Sequence, residues 1–186
     1  MEKFVIEGGV PLSGTLVPAG NKNGALPILA SALLTEDEVT VCNVPRIRDV
    51  EAMLEILGAI GVQVAWRGTN EVTLCAAGVH TVEIDRELAE LIRASFLLAG
   101  PLLARVGRAS VPPPGGDVIG RRRLDPHLHA FERLGAQISV GERYELQADR
   151  LEGAAIFLDE ASVMGTENTV MAAVLAPGAT TITNAA

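Results

Sequence analysis

The sequence predicts an α/β (α+β) fold assembled from repeated βαβαββ units, the third of them truncated. Three observations carry that expectation. Val41, Val111 and Ile182 each lie in a short strand-like run, and they stand 70 and 71 residues apart. The turns Leu57-Gly58-Ala59 and Leu134-Gly135-Ala136 close two amphipathic segments at matching places. Alternating apolar residues follow each turn. A whole motif recurring at one period is the signature of a repeat architecture.

In the first unit, 21–78, Ala25 to Leu34 reads as an apolar helix, Glu38 to Val41 as a strand and Asp49 to Ile60 as a second helix. Val50, Met53, Leu54 and Leu57 follow three-and-four spacing, which gathers them on one face that must cover something. Val62, Val64 and Trp66 then alternate, as do Val72 and Leu74, and these predict two closing strands. The second unit, 79–150, repeats the order: one helix from about Leu88 to Leu103, a strand around Ala109 to Val111, and a helix from Leu124 to Leu134. Leu124, Leu128 and Phe131 share a face there, and Ile138, Val140, Tyr144 and Leu146 supply the strands. The third unit, 151–186, offers a helix from Thr166 to Leu175, Pro177-Gly178, and a strand from Thr180 to Asn184. In the first unit the closing hairpin reaches 33 residues beyond its anchor strand, whereas only 4 residues follow Ile182. Stacked repeats bury apolar faces against one another, so the expectation is a fragment of a longer protein.

Composition narrows the function classes. A chain of 186 residues that is 48% hydrophobic can bury one or two sizeable cores. Its net charge of −8 argues against nucleic acid as partner, because phosphate-backbone binders spread Lys and Arg over a broad face. No apolar run approaches the roughly 18 residues of a membrane span. Met1-Glu2-Lys3-Phe4-Val5-Ile6 enters a strand-like run without a leader pattern, so a cytoplasmic protein is expected. Cys42 and Cys75 have no Cys or His at ligand spacing, which predicts core thiols and no metal.

Five segments carry chemically useful groups. Gly20-Asn21-Lys22-Asn23-Gly24 opens into the first helix, where unpaired amides and a lysine suit an anion, although capping by Asn21 or Asn23 explains the segment alone. Pro112-Pro113-Pro114-Gly115-Gly116-Asp117-Val118-Ile119-Gly120 has a stiff base and a carboxyl near its tip; it reads as a lid or as a plain turn. Arg121-Arg122-Arg123-Leu124-Asp125-Pro126-His127-Leu128-His129 presents guanidinium forks, or merely a solvated face. The two histidines, two apart, point to different sides of a helix, which disfavours a shared metal. Arg93 interrupts an apolar helix and needs a partner if buried. Ser162 and Val163, with Thr166, offer hydroxyls and amides at the third helix, or a simple Ser cap.

Taken together, Gly20-Asn21-Lys22-Asn23, Ile92-Arg93-Ala94-Ser95, Pro114 to Gly120, the Arg122-to-His127 run, Leu134-Gly135-Ala136 and Ser162-Val163 resemble the UDP-N-acetylglucosamine enolpyruvyl transferases in order and spacing. The resemblance covers essentially the whole chain and corresponds to that family's N-terminal portion. It implies an inside-out α/β barrel of enolpyruvyl transferase type, with residues 1–20 belonging to an absent second domain and 21–186 forming most of the first. It implies that Lys22 and Asn23 contact phosphoenolpyruvate and substrate, and that Arg93 and Arg122 bind anionic groups. Arg123, Leu124, Asp125, Pro126 and His127, with Ser162 and Val163, would line the site for UDP-N-acetylglucosamine. Asp117 would be the loop's general acid. The implied chemistry transfers the enolpyruvyl group of phosphoenolpyruvate to the sugar 3′-hydroxyl without metal or organic cofactor.

Three positions depart from the pattern. Asp117 stands where many members have the cysteine that fosfomycin alkylates, Glu160 replaces a basic residue found in some, and Leu97 stands where some have tryptophan. The rival expectations are a shikimate 3-phosphate enolpyruvyl transferase and a noncatalytic binding remnant.

Overall fold

Three copies of one helical element, at residues 22–31, 93–106 and 163–173, meet at the centre, and small sheets surround them. A computed structural model of the chain describes residues 3–116 and 123–186. In the first unit, α1 (Lys22–Ser31) runs into a 3-10 turn (Ala32–Leu34) and is followed by β1 (Glu38–Val41), α2 (Arg48–Ala59), β2 (Gln63–Arg67) and β3 (Glu71–Cys75). The strands form a three-stranded antiparallel sheet in the order β1-β3-β2. The second unit contains α3 (Arg86–Leu91), a 3-10 segment (Arg93–Leu98), α4 (Ala99–Val106), β4 (Arg108–Val111), α5 (Asp125–Arg133), β5 (Gln137–Val140) and β6 (Tyr144–Gln147). Its sheet has the same order, β4-β6-β5. The third unit has β7 (Ala155–Phe157), α6 (Val163–Ala173) and β8 (Thr181–Thr183), with β7 parallel to β8.

The leading strand of the unit is visible twice. β7 pairs in parallel with β8, and Glu83 makes a parallel bridge to Ser110 of β4. Both leading strands are short and were not among the sequence expectations. Strands of three residues give too few alternations to register as a period.

The core follows the apolar stripes. Val50, Met53, Leu54 and Leu57 of α2 are buried as their spacing requires, and so are Ala130 and Phe131 of α5. Residues 99–103 of α4 are buried all round, because this helix packs against α6 on one side and β4 on another. α1 packs on α2, and α5 on α6. The largest fully buried side chains, among them Phe96, Phe131, Leu29, Leu33 and Met53, belong to one continuous cluster spanning all three units.

Three expectations need correction. The single helix from Leu88 to Leu103 is broken at Ile92, whose backbone is extended (φ −141°, ψ 140°), into α3 and a second helical stretch. Cys42 is exposed rather than core, its Sγ donating to Glu71 Oε2 at 3.3 Å; that bond to a carboxylate pushes the thiol pKa up. Residues 3–19 form no helix or strand, and Phe4, Val5 and Ile6 are exposed. A strand needs a neighbour for its hydrogen-bonding groups, and this run has none among the described residues.

Candidate active site

The three central helical stretches begin in the same way. Each starts after a residue in extended conformation: Asn21 (φ −92°, ψ 130°), Ile92 (φ −141°, ψ 140°) and Ser162 (φ −94°, ψ 121°). Their first helical residues, Lys22, Arg93 and Val163, stand 71 and 70 residues apart, the period of the repeat. The repeat therefore aligns Arg93, not Leu88, with Lys22. Helix starts carry unpaired amides and the positive end of the helix dipole. All three first residues line one cleft of about 400 Å³, together with Asn23, Leu26, Pro27, Asp49, Leu91, Ile92, Ala94, Leu97, Gly116, Met164 and Glu167.

Two starts cap themselves. Asn21 Oδ1 accepts from Gly24 N at 3.1 Å, and Ser162 Oγ accepts from Gly165 N at 3.1 Å. Asn21 and Ser162 thus act as local caps, and the helices they begin open on the cleft. Pro27 in α1 has no N–H, so the Asn23 carbonyl loses its helical partner at the cleft wall.

The middle start is held by the break itself. With α3 ending at Leu91, the carbonyls of Ala89 and Glu90 are released to accept from Gly115 N (3.3 Å) and Gly116 N (3.1 Å). The base of the Pro-Gly-Gly loop is thereby stitched beside Arg93. A Cβ at Gly115 would run into the Glu90 carbonyl, so only glycine allows this approach. Ser95 Oγ, fully buried, shares its proton between Ala89 O (3.0 Å) and Ile92 O (2.9 Å).

One cation of the cleft is paired within the chain. Lys22 Nζ donates to Asp49 Oδ2 at 2.8 Å, across from α2. Arg93 is half-buried and donates from Nη2 to the Arg123 carbonyl at 3.2 Å. Glu167 is partly buried in the wall, and desolvation pushes its carboxyl pKa up. Lys22, paired with a carboxylate that an incoming anion can displace, and Arg93 come from two units and make the cleft suited to an anion.

Arg123 and the start of α5 adjoin this wall. Arg123 Nε donates to Asp125 Oδ2 at 2.8 Å and its Nη2 lies 3.1 Å from Asp159 Oδ2. These carboxylates, Asp125 first, push its pKa up. Pro126 is buried in the first turn of α5, beside Leu124, and Gly165 of α6 packs against it. His127 is buried edge-on to Phe96, with ring centroids 5.2 Å apart. Desolvation, then the charge of Arg93, lowers its pKa to about 4. Its Nδ1 faces Asn168 Nδ2 at 3.1 Å, while its Nε2 has no hydrogen-bond partner among the described residues. Asn168 can only donate there, so the neutral ring carries its proton on Nε2.

Of the residues singled out from sequence, the cleft brings together Lys22, Asn23, Arg93 and Val163; Ser162 caps the helix carrying Val163, and Arg123 touches Arg93 through its carbonyl. Leu124, Asp125, Pro126 and His127 form the adjoining shell. Asp117 and Arg122 lie outside the described residues. Sequence reasoning missed Asp49, which reads as an ordinary acid in the first turn of an amphipathic helix, and Glu167 and Asn168, which read as interior polar residues of α6.

Solved enolpyruvyl transferases share this fold. NikO from Streptomyces tendae superposes with a TM-score of 0.77 over 94% of this chain and 42% of that one, at 23% identity. EPSP synthase from Acinetobacter baumannii gives 0.71 over 91% and 40%, at 20% identity. The fold is therefore the enolpyruvyl transferase fold. Residues 6–186 match the family described as EPSP synthase (3-phosphoshikimate 1-carboxyvinyltransferase), and the chain belongs to that family. Within it, the chain is 53% identical over 184 residues to the UDP-N-acetylglucosamine 1-carboxyvinyltransferase of Bradyrhizobium diazoefficiens, and 52% identical over 186 residues to that of Treponema pallidum. It spans 43% and 44% of those relatives' lengths.

Proposed function

We propose that this chain supplies one half of the site of a UDP-N-acetylglucosamine 1-carboxyvinyltransferase, a transferase acting at the first committed step of peptidoglycan synthesis in the cytoplasm. The observation that carries the reading is the convergence of Lys22, Asn23, Arg93 and the base of the Asp117 loop on one cleft. Relatives bearing that enzyme's name at about half identity over the whole chain support the nucleotide sugar over shikimate 3-phosphate as acceptor.

In this reading the 3′-hydroxyl of UDP-N-acetylglucosamine adds to C2 of phosphoenolpyruvate while C3 takes a proton from the Asp117 carboxyl. A proton then leaves C3, the C2–O bond to phosphate breaks, and inorganic phosphate departs. Lys22, Arg93 and Arg122 hold phosphate and carboxylate and offset the charge that develops. Arg123 to His127, with Ser162 and Val163, bound the nucleotide-sugar side. The hydroxyl's base and further cations come from the remainder of the protein, so the 186-residue chain alone turns over little or nothing.

The test is phosphate release by the complete protein containing this chain, supplied with phosphoenolpyruvate and either UDP-N-acetylglucosamine or shikimate 3-phosphate. Release with the nucleotide sugar alone is expected; release with shikimate 3-phosphate alone would overturn the assignment. A carboxylate at 117 also predicts no covalent adduct after incubation with fosfomycin, read by mass spectrometry of the loop peptide.

A further inference from the structure

A buried asparagine on α6 interrupts the helix that carries the cleft's arginine. In an unbroken α-helix the Gly100 amide would donate to the Phe96 carbonyl, four residues back. Instead Gly100 N donates to Asn168 Oδ1 at 2.8 Å, and Asn168 Nδ2 donates to the Phe96 carbonyl at 2.8 Å. The side-chain amide is spliced into a single rung of the helix. Its second Nδ2 hydrogen goes to His127 Nδ1, so an asparagine with no exposed surface has every donor and its acceptor in use. Gly100 is part of the device, because a Cβ there would collide with Asn168 Oδ1.

The splice acts on a helix already weak at this point. Pro101 cannot donate to Leu97, so two consecutive rungs are missing from the ladder. Inserted groups of this kind are an identified cause of helix breaks. On the N-terminal side the chain is wound as a 3-10 segment from Arg93 to Leu98, and Arg93 is its first residue. An apolar residue at 168 beside an unbroken helix would fill the same space without burying an amide, and replacing both hydrogen-bonding partners by apolar groups is close to neutral. What the asparagine adds is the break. Its neighbour Glu167 lines the cleft, so one turn of α6 both walls the cleft and sets the opposite wall.

We infer that Asn168 is a positioning residue: its spliced amide holds the 93–98 segment in the form that sets Arg93 on the cleft wall. The inference rests on the proposed function only in taking the cleft as a phosphoenolpyruvate site.

The experiment is a double-mutant cycle on the complete protein containing this chain, with phosphoenolpyruvate binding measured by calorimetry. Asn168→Ala is expected to weaken binding about tenfold, the size of one lost charge-assisted bond. In an Arg93→Ala background the same change should cost less than about twofold, because its effect runs through that arginine. Asn168→Asp can still accept from Gly100 but cannot donate to Phe96 or His127, and it should fall with the alanine variant. Folded variants that bind as tightly as the parent, or a loss undiminished in the Arg93→Ala background, would overturn the inference while leaving the proposed function intact. If both position-168 variants fail to fold, Asn168 serves stability alone and the inference is likewise wrong. A parent protein that binds no phosphoenolpyruvate removes the proposed function and this inference together.

Discussion

The starts of α1 and of the 93–106 segment occupy equivalent places in the repeat and put a cation on the same cleft, yet they are held by opposite means. Lys22 begins a helix that caps itself within three residues, through Asn21 and Gly24. Arg93 begins a helix whose N-cap residue, Ile92, contributes no side-chain bond at all. Its geometry comes from Ser95, from the Pro-Gly-Gly loop and from Asn168, the last 68 and 72 residues away from the groups it bonds. A locally capped start is robust and autonomous. A start assembled from distant parts couples one wall of the cleft to another.

The largest effect should come from breaking the remote assembly at its tightest point. In Gly100→Ala the new methyl meets Asn168 Oδ1 and the Asn168 carbonyl, neither of which has space to retreat. Overpacking plus a lost buried hydrogen bond should destabilise the chain by about 3 kcal/mol or more. Urea unfolding followed by circular dichroism would measure it. A shift near zero would mean that Asn168 swings aside freely, and that the two starts differ less than their hydrogen bonds indicate.

Acid should separate the two starts next. His127 is held neutral, with its pKa lowered from 6.5 to about 4 by burial and by Arg93, and it shares Asn168 with the spliced helix. The unfolded chain takes up this proton first. Stability is therefore complete above about pH 6.5 and falls as the pH drops from there toward 4. A shift of this size corresponds to about 3 kcal/mol when fully developed. Unfolding midpoints at pH 7 and pH 4.5 should differ by more in the parent than in His127→Gln, which cannot titrate. Equal differences in the two proteins would show that acid acts elsewhere.

The same contrast explains what could be read from the chain before folding. The repeat and the amphipathic faces of α2 and α5 rest on local periodicity, whereas the grouping of Lys22, Asn23, Arg93 and Val163 was implied only by the family resemblance. Asn21 and Ser162 announce helix starts because their partners are three residues on. Ile92 announces nothing, being an apolar residue inside an apolar run, so the sequence predicts continuous helix across the break. Asn168 was invisible for the same reason: its partners lie in another unit. Asp49 passed as a helix-start acid, since nothing nearby in sequence reveals that it faces Lys22.

Capping itself should give a smaller, symmetrical effect. Asn21→Ala and Ser162→Ala each remove one oxygen that serves one amide, and a cap of this kind contributes about 1 kcal/mol. Thermal unfolding should show similar, additive losses for the two, since they lie in different units and share no partner. A loss several times larger for Ser162 would indicate that α6, which carries Asn168, transmits its fraying to the spliced helix; the two self-capped starts would then not be equivalent.

The smallest effect on stability is expected at Lys22, and there it should be opposite in sign to the effect on binding. The Lys22–Asp49 pair is short, at 2.8 Å, but both side chains are substantially exposed, at 46% and 40%. Pairs this open are screened by water and salt and contribute little to folding. Asp49→Asn should leave the unfolding midpoint almost unchanged. It also removes a carboxylate that competes with any incoming anion for Lys22, so phosphoenolpyruvate binding should tighten by about threefold at low ionic strength and converge with the parent as salt is raised. Weaker binding in Asp49→Asn would reverse the comparison, because Lys22 would then depend on a distant partner for its placement just as Arg93 depends on Asn168.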